Sequence, residues 1–270
     1  MSASYPLVRN LYAFSTRFGV SRSPSRSGSS PRSVSSFLIT SCILLFYIPA
    51  LAAQSADSLY ADRANLASAR QSADLWSAAL AGDARNFDAA WKLARACYWL
   101  GGHGPDVERR RDLEHGIDAG RKAAALRPNR PEGHFWIAAN MGALAESYGI
   151  RAGLKYRRSI REELETVLRL DPKFEDGSAD RALGRWYFKV PSLFGGSSRE
   201  SEAHLRASLT YDPDNTASHF FLAELLLDAG RRNEARAELQ KVLDAPVNPE
   251  WAPEAREFKE KARVALQGLK

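Results

Sequence analysis

In four helical stretches of the chain a branched aliphatic residue followed at once by one no larger than alanine stands at a matching place: Leu93-Ala94, Ile137-Ala138, Leu183-Gly184 and Leu222-Ala223. Each pair is answered downstream by a second set with helical spacing that closes on a proline. These sets are Gly116, Gly120 and Ala123 before Pro128; Ile160, Leu164 and Val167 before Pro172; Ser201, Leu205 and Ser208 before Pro213; Ala235, Leu239 and Val242 near Pro246. Antiparallel helices can cross closely only where their facing side chains are small, and a chain that repeats that condition stacks helix pairs side by side. Proline ends each second helix because it lacks the amide the next turn needs.

From Ala53 onward strand signals are almost absent, while Leu, Ala, Arg and Glu recur at helical spacing between turn clusters. The last unit resembles the tetratricopeptide repeat, with Ala223 and Ala235 at the small positions and Gly230 supplying a left-handed turn between the helices. The expected fold is therefore all-α: a tetratricopeptide-like helical repeat solenoid of about four helix pairs plus N- and C-terminal capping helices. The opening cap is expected over Ser55 to Ala81 and the closing one over Trp251 to Leu266. The two small positions lie 12 residues apart in the last unit, 17 in the third and 22 in the first two. The surplus is expected as insertions on one rim, at Gly101–Gly104 onward, Ser147–Gly153 and Val190–Ser198.

Residues 1–52 read as a leader and residues 53–270 as the repeat domain. The leader holds five arginines (Arg9, Arg17, Arg22, Arg26, Arg32) and no acid, then an apolar run from Phe37 to Ile48, then Pro49 and an A-x-A-like site at Ala50-Leu51-Ala52. That is the pattern of a cleaved secretion signal, so the expected destination is the periplasm. A membrane anchor through residues 37–53 and an organellar transit peptide are the alternatives. The whole chain has a formal charge of +6, but without the leader 33 basic residues face 32 acidic ones. A nucleic-acid partner is therefore not expected, and membrane contact is expected only through the leader, should it stay uncleaved. Loss of the leader would remove Cys42 and leave Cys97 alone, a thiol whose neighbours Tyr98 and Trp99 suggest burial as a small apolar group.

No P-loop, Gly-x-Ser-x-Gly, His-Glu-x-x-His, Cys-x-x-Cys or Gly-x-Gly-x-x-Gly occurs, so no enzyme, cofactor or metal is expected. His103, His115, His134, His204 and His219 are scattered over the repeats, and no two are spaced to share a helical face around a metal. The stretch Gly195-Gly-Ser-Ser198 could offer free amides to an anion, but Ser197 with Glu200 three residues later also reads as a capping box.

The segment Leu183-Gly-Arg-Trp-Tyr-Phe-Lys-Val-Pro-Ser-Leu-Phe-Gly-Gly-Ser-Ser198, followed by Ala203-His-Leu-Arg-Ala-Ser-Leu209, is more particular. It resembles the T-component family of TRAP transporters, periplasmic helical repeat proteins, and its Gly-Arg-Trp-Tyr and Leu-Phe-Gly are similar to a stretch in the eukaryotic regulators of microtubule dynamics. The first resemblance implies association with a transporter's solute-binding component; the second implies a scaffold at a membrane or the cytoskeleton. The first ranks higher because of the secretion-type leader. An alternative is a carrier that sequesters a small apolar or organic-acid ligand in a pocket closed by the insertions around Trp136, Trp186 and Phe194.

In tetratricopeptide arrays the first helices line the concave side, at positions three before, one after and four after the small residue of each pair. Here these are Trp91, Arg95 and Tyr98; Phe135, Ala139 and Gly142; Arg181, Arg185 and Phe188; Phe220, Glu224 and Leu227. Aromatic faces with guanidinium forks suit an extended peptide or an organic acid. The candidate ligand residues are Arg95, Tyr98, Arg181, Arg185, Trp186, Phe194, Phe220 and Glu224. The competing reading packs the aromatics against the next repeat and pairs the arginines with Glu163 or Asp180.

Overall fold

A computed structural model describes residues 55–269, which are helical throughout apart from short turns, with no strand among them. Within them eleven α-helices follow one another: α1 (Ala56–Ala61), α2 (Leu66–Gly82), α3 (Phe87–His103), α4 (Asp106–Leu126), α5 (Pro131–Tyr148), α6 (Ile150–Leu170), α7 (Ser178–Lys189), α8 (Ser198–Tyr211), α9 (Thr216–Asp228), α10 (Arg232–Asp244) and α11 (Ala252–Gln267). The expected leader, with its cleavage and anchor alternatives, lies outside the described residues. The four expected pairs are α3/α4, α5/α6, α7/α8 and α9/α10, each stacked on the next. The opening cap is broken: Asp62–Asn65 separate α1 from α2, and the Asn65 side chain caps α2 by accepting the Ala67 amide at 3.0 Å.

The small positions are where the helices touch. A Cβ built on Gly184 would stand 2.5 Å from Leu205 Cγ, and Ser201 Oγ donates to the Gly184 carbonyl at 2.8 Å, so the third pair meets at the two residues its spacing picked out. Gly116 and Gly120 face forward instead, towards Asn140 and Ile137 of α5. Small residues therefore serve the contact between repeats as well as the one within them. Gly230 turns with φ +73°, as expected of a left-handed cap.

Two of the three expected rim insertions are not loops. Only Gly104 and Pro105 join α3 to α4, and Gly149 alone joins α5 to α6. The surplus is divided between both arms of each hairpin and coils into extra helical turns, which leaves the crossing point in register while the hairpin grows taller. Only Val190–Ser197 is a true connection, carrying a 3-10 turn at Ser192–Phe194. At its end Ser197 Oγ accepts the Glu200 amide at 3.2 Å, the first half of the expected capping box. The second half is absent, because the Ser197 amide donates to Tyr187 O and the Glu200 carboxylate turns to Arg199.

The histidines are less scattered than their sequence spacing suggests. His134, Asp180 and His219 each stand four residues before the small residue of a first helix, and each meets a partner on the second helix of its own pair. His134 Nδ1 lies 2.6 Å from Glu163, Asp180 lies 2.7 Å from His204 Nδ1, and His219 Nδ1 lies 2.6 Å from Glu238. One histidine–carboxylate stitch thus recurs in three pairs, with acid and base exchanged in the middle one. The first pair has Ala90 and Ala119 in these places, both buried. The expected alternative partners of the arginines, Glu163 and Asp180, are consumed in this way.

The ring of His134 also turns Nε2 to the carbonyl of Pro128 at 3.1 Å, and its hydrogen bond to Glu163 holds its pKa above 6.5 against the opposing effect of burial. A histidine raised in this manner contributes stability that is complete below its unfolded pKa of about 6.5 and is lost as pH rises through the folded value. Burial pushes Glu238 up, yet the hydrogen bonds from His219 and Lys241 outweigh it and leave the group below its ordinary value, so its contribution fades as pH falls instead. Thermal melting followed by circular dichroism should therefore be most favourable in the mildly acidic range. Replacing His134 by Gln should flatten the alkaline limb, removing under about 1 kcal/mol after solvent screening, or roughly 2–4 °C at most.

Candidate functional groove

The first helices α3, α5, α7 and α9 present the groove, and at its centre stand two arginines from different repeats. Arg95 on α3 lays its guanidinium over the rings of Tyr60 at 4.2 Å and Trp91 at 4.9 Å, which holds the group by cation–π contact. Its Nε is buried and has no hydrogen-bond partner among the described residues. Arg181 on α7 likewise has a buried and unpartnered Nη1. Burial holds the Arg181 guanidinium below its ordinary pKa, while the negative field of Glu175 pulls it the other way. An unsatisfied buried nitrogen on a charged group is costly, and an arriving acceptor would relieve it.

Tyr98 completes this centre. Its side chain is 40% exposed along the groove and packs 5.7 Å from Trp136, but the surrounding protein pushes its hydroxyl up to about 12. The hydroxyl stays protonated and can donate beside Arg181.

Sequence reasoning missed Glu175. It lies in the α6–α7 link, where Glu175, Asp176 and Gly177 take φ values of +43°, +55° and +75° in succession. Two non-glycine residues in that region cost about 1 kcal/mol or more each, and the turn they make aims the carboxyl inward. Burial raises Glu175 to about 7, with Arg95 and Arg181 both acting to lower it. The Asp-Gly step marked a turn in the sequence, but nothing there indicated which side chain the turn would deliver.

The other expected ligand residues part company. Arg185 is held by Glu146 of α5, with Nε at 2.9 Å, and by Glu224 of α9, and it covers the Phe221 ring at 4.6 Å. Arg185 and Glu224, expected as separate ligand contacts, are therefore each other's partners in a ladder across three repeats. Phe220 packs against Phe221 and, at 5.6 Å, against Phe258 of α11, so the closing helix lies on it. Trp186 is buried and points out of the groove, its indole N–H donating to Arg157 O of α6 at 2.9 Å. Phe194 sits on the rim near the Arg157 guanidinium, 5.6 Å away. The groove thus keeps Arg95, Tyr98 and Arg181 together and leaves Trp186 and Phe194 outside.

Cys97 is buried, and burial pushes its thiol up to about 12, so it behaves as a small apolar group. Among the described residues no cluster of three or more His, Cys, Asp or Glu could hold a metal, and no helix is long and apolar enough to cross a membrane. A cavity of about 380 Å³ opens where the α1–α2 link meets α11, lined by Leu66, Trp99, His103, Pro253 and Glu257, and lies apart from Arg181.

The regulator of microtubule dynamics protein 1-3 family matches residues 52–194, and a tetratricopeptide repeat matches residues 196–253. In three dimensions the chain is similar to a thermophilic TPR protein of Thermus thermophilus, at 23% identity over 78% of this chain and 95% of that one, with a TM-score of 0.59. It is also similar to MamA, at 14% identity over 74% of this chain and 95% of that one, with a TM-score of 0.45. No curated protein matches the chain. The first likeness bears on the fold, which is tetratricopeptide-like. The family found is the one placed second on account of the secretion-type leader; its match includes most of the Leu183–Ser198 segment that carried the resemblance.

Proposed function

The chain belongs to the regulator of microtubule dynamics protein 1-3 family and continues into a tetratricopeptide repeat, and from that premise we propose that it is a non-catalytic scaffold whose groove grips a carboxylate-bearing segment of a protein partner. The observation that carries this reading is the pair of buried, unpartnered nitrogens on Arg95 and Arg181, flanked by the Tyr98 hydroxyl. A guanidinium held by aromatic faces, as Arg95 is, with a donor to spare accepts a carboxylate at little entropic cost. Residues 1–52 deliver the chain to the periplasm, where the partner is the solute-binding component of a TRAP-type transporter. The leader's composition and the resemblance of residues 183–198 support that placement.

The test is titration of a synthetic peptide with clustered Asp and Glu into the protein, followed by anisotropy. Arg181→Ala and Arg95→Ala should each weaken binding by roughly tenfold or more, the worth of a charge-assisted bond. Unchanged affinity in both variants would refute the groove assignment. A second reading, a carrier for a small organic acid, is favoured by the same unpaired nitrogens. It requires a bound acid in native mass spectra of the freshly purified protein.

A further inference from the structure

The hairpin tips α5–α6 and α7–α8 lie side by side on one rim, away from the groove. The Val190–Ser197 connection thrusts Leu193 outward, 86% exposed, with Phe194 beside it at 37%. Neither caps a helix nor fills the core, and the 3-10 turn holds both at the tip. Soluble surfaces tolerate single apolar residues, but a protruding pair on a tight turn is the shape of a wedge.

Next to this wedge runs the first half of α6, Ile-Arg-Ala-Gly-Leu-Lys-Tyr-Arg-Arg-Ser-Ile-Arg, with five cations and no acid between 150 and 161. Arg151, Lys155 and Arg158 share one exposed stripe at helical spacing. Arg157, on an adjoining face of the same helix, brings its guanidinium to 5.6 Å from the Phe194 ring. Among the described residues Arg151, Lys155, Arg157 and Arg158 form no ion pair with a carboxylate, whereas neighbouring Arg161 does, with Glu165. Exposed arginines without a carboxylate partner also occur elsewhere, Arg85, Arg127 and Arg232 among them, but not in a run of this length without an acid. A local positive field beside protruding apolar side chains is complementary to an anionic lipid surface: phosphates take the cations while the wedge enters the headgroup boundary.

We propose that this rim, through Leu193 and Phe194 with Arg151, Lys155, Arg157 and Arg158, docks the protein on an anionic phospholipid surface. The docking is independent of the leader and leaves the groove free for its partner.

The experiment uses the full chain carrying Cys42→Ser and Leu193→Cys, labelled at residue 193 with a polarity-sensitive fluorophore; Cys97 is buried and does not compete for label. Vesicles of phosphatidylserine in phosphatidylcholine should raise the emission and shift it to the blue, and high salt should reverse the change. Adding Arg151→Gln, Lys155→Gln and Arg158→Gln should weaken this response by about a hundredfold, at roughly fivefold per charge, with the circular dichroism unchanged. If the protein floats with vesicles while residue 193 reports water, the leader alone binds and the proposal fails. It fails equally if phosphatidylcholine alone gives the same response, if soluble polyglutamate reproduces it, or if the triple variant responds like the parent.

Discussion

Gly133→Val is expected to lower the stability of the chain by about 3 kcal/mol, a fall in melting temperature of roughly 6–12 °C for a domain of this size. Gly133 lies in the first turn of α5, where a Cβ would stand 2.5 Å from the Ala124 amide nitrogen and 3.0 Å from its Cα. The obstacle is backbone, which cannot rotate aside as the end of a side chain can, so α5 would have to back away from α4. That movement would open the packing around Ile137, Gly120 and the buried Asn140, whose Nδ2 donates to the Ala94 carbonyl at 3.0 Å and so ties three helices together. Gly142 is the internal control. It is on the same helix with nothing within 4 Å of its built Cβ, so Gly142→Ala should be neutral or stabilise by up to about 1 kcal/mol through helix propensity. Equal melting of the two variants would mean that the α4–α5 crossing is looser than described.

The same close crossings explain how much of the architecture could be read in one dimension. A small residue is demanded wherever two backbones approach, and that demand leaves its mark at fixed offsets along the chain, so the four pairs and the turn at Gly230 were legible. Helix was mistaken for loop at residues 101–103, 147–148 and 150–153 because glycine marks turns, yet equal growth of both arms of a hairpin needs no more than a one- or two-residue link. The histidine stitches were legible in principle, since His134, Asp180 and His219 share one offset from the small residue. They were hidden by the exchange of acid and base in the third pair.

The groove was legible only by position. The offsets brought Arg95, Tyr98 and Arg181 to one surface, but the Glu146–Arg185–Glu224 ladder depends on how successive repeats rotate, which no spacing records. Trp186 follows Arg185 directly and so turns about 100° around the helix, onto the face that packs on α6. It was expected as part of a pocket closed by the insertions, and its indole instead donates to Arg157 O of α6.

Arg63→Ala is expected to cost about 3 kcal/mol and to loosen both ends of the array at once. Arg63 stands in the α1–α2 link, 2% exposed, and reaches residues near the other end of the chain. Its Nε and Nη2 form a fork on the Glu254 carboxylate at 2.9 and 2.5 Å, and Nη2 also donates to Glu250 O at 2.6 Å. The rings of Tyr60, Trp99 and Trp251 surround the guanidinium at 5.0 to 5.8 Å, and the Trp99 indole N–H donates to the Arg63 carbonyl at 2.7 Å. Truncation leaves the Glu254 carboxylate, only 27% exposed, without its partner, and that residue of uncompensated charge is the larger part of the cost. Arg63→Met should cost less, because the aromatic cage keeps an apolar occupant, and Arg63→Lys should fall between, keeping charge but losing the fork. Hydrogen exchange discriminates a local from a global effect: the α11 amides should exchange faster in Arg63→Ala, while those of α5 and α6 follow global stability. Unchanged exchange across α11 would show that the two ends are not joined through this residue. Because Phe258 of α11 lies on Phe220, the same release should uncover the fourth repeat's share of the groove. The joining of the ends therefore sets how much of the concave surface a partner meets.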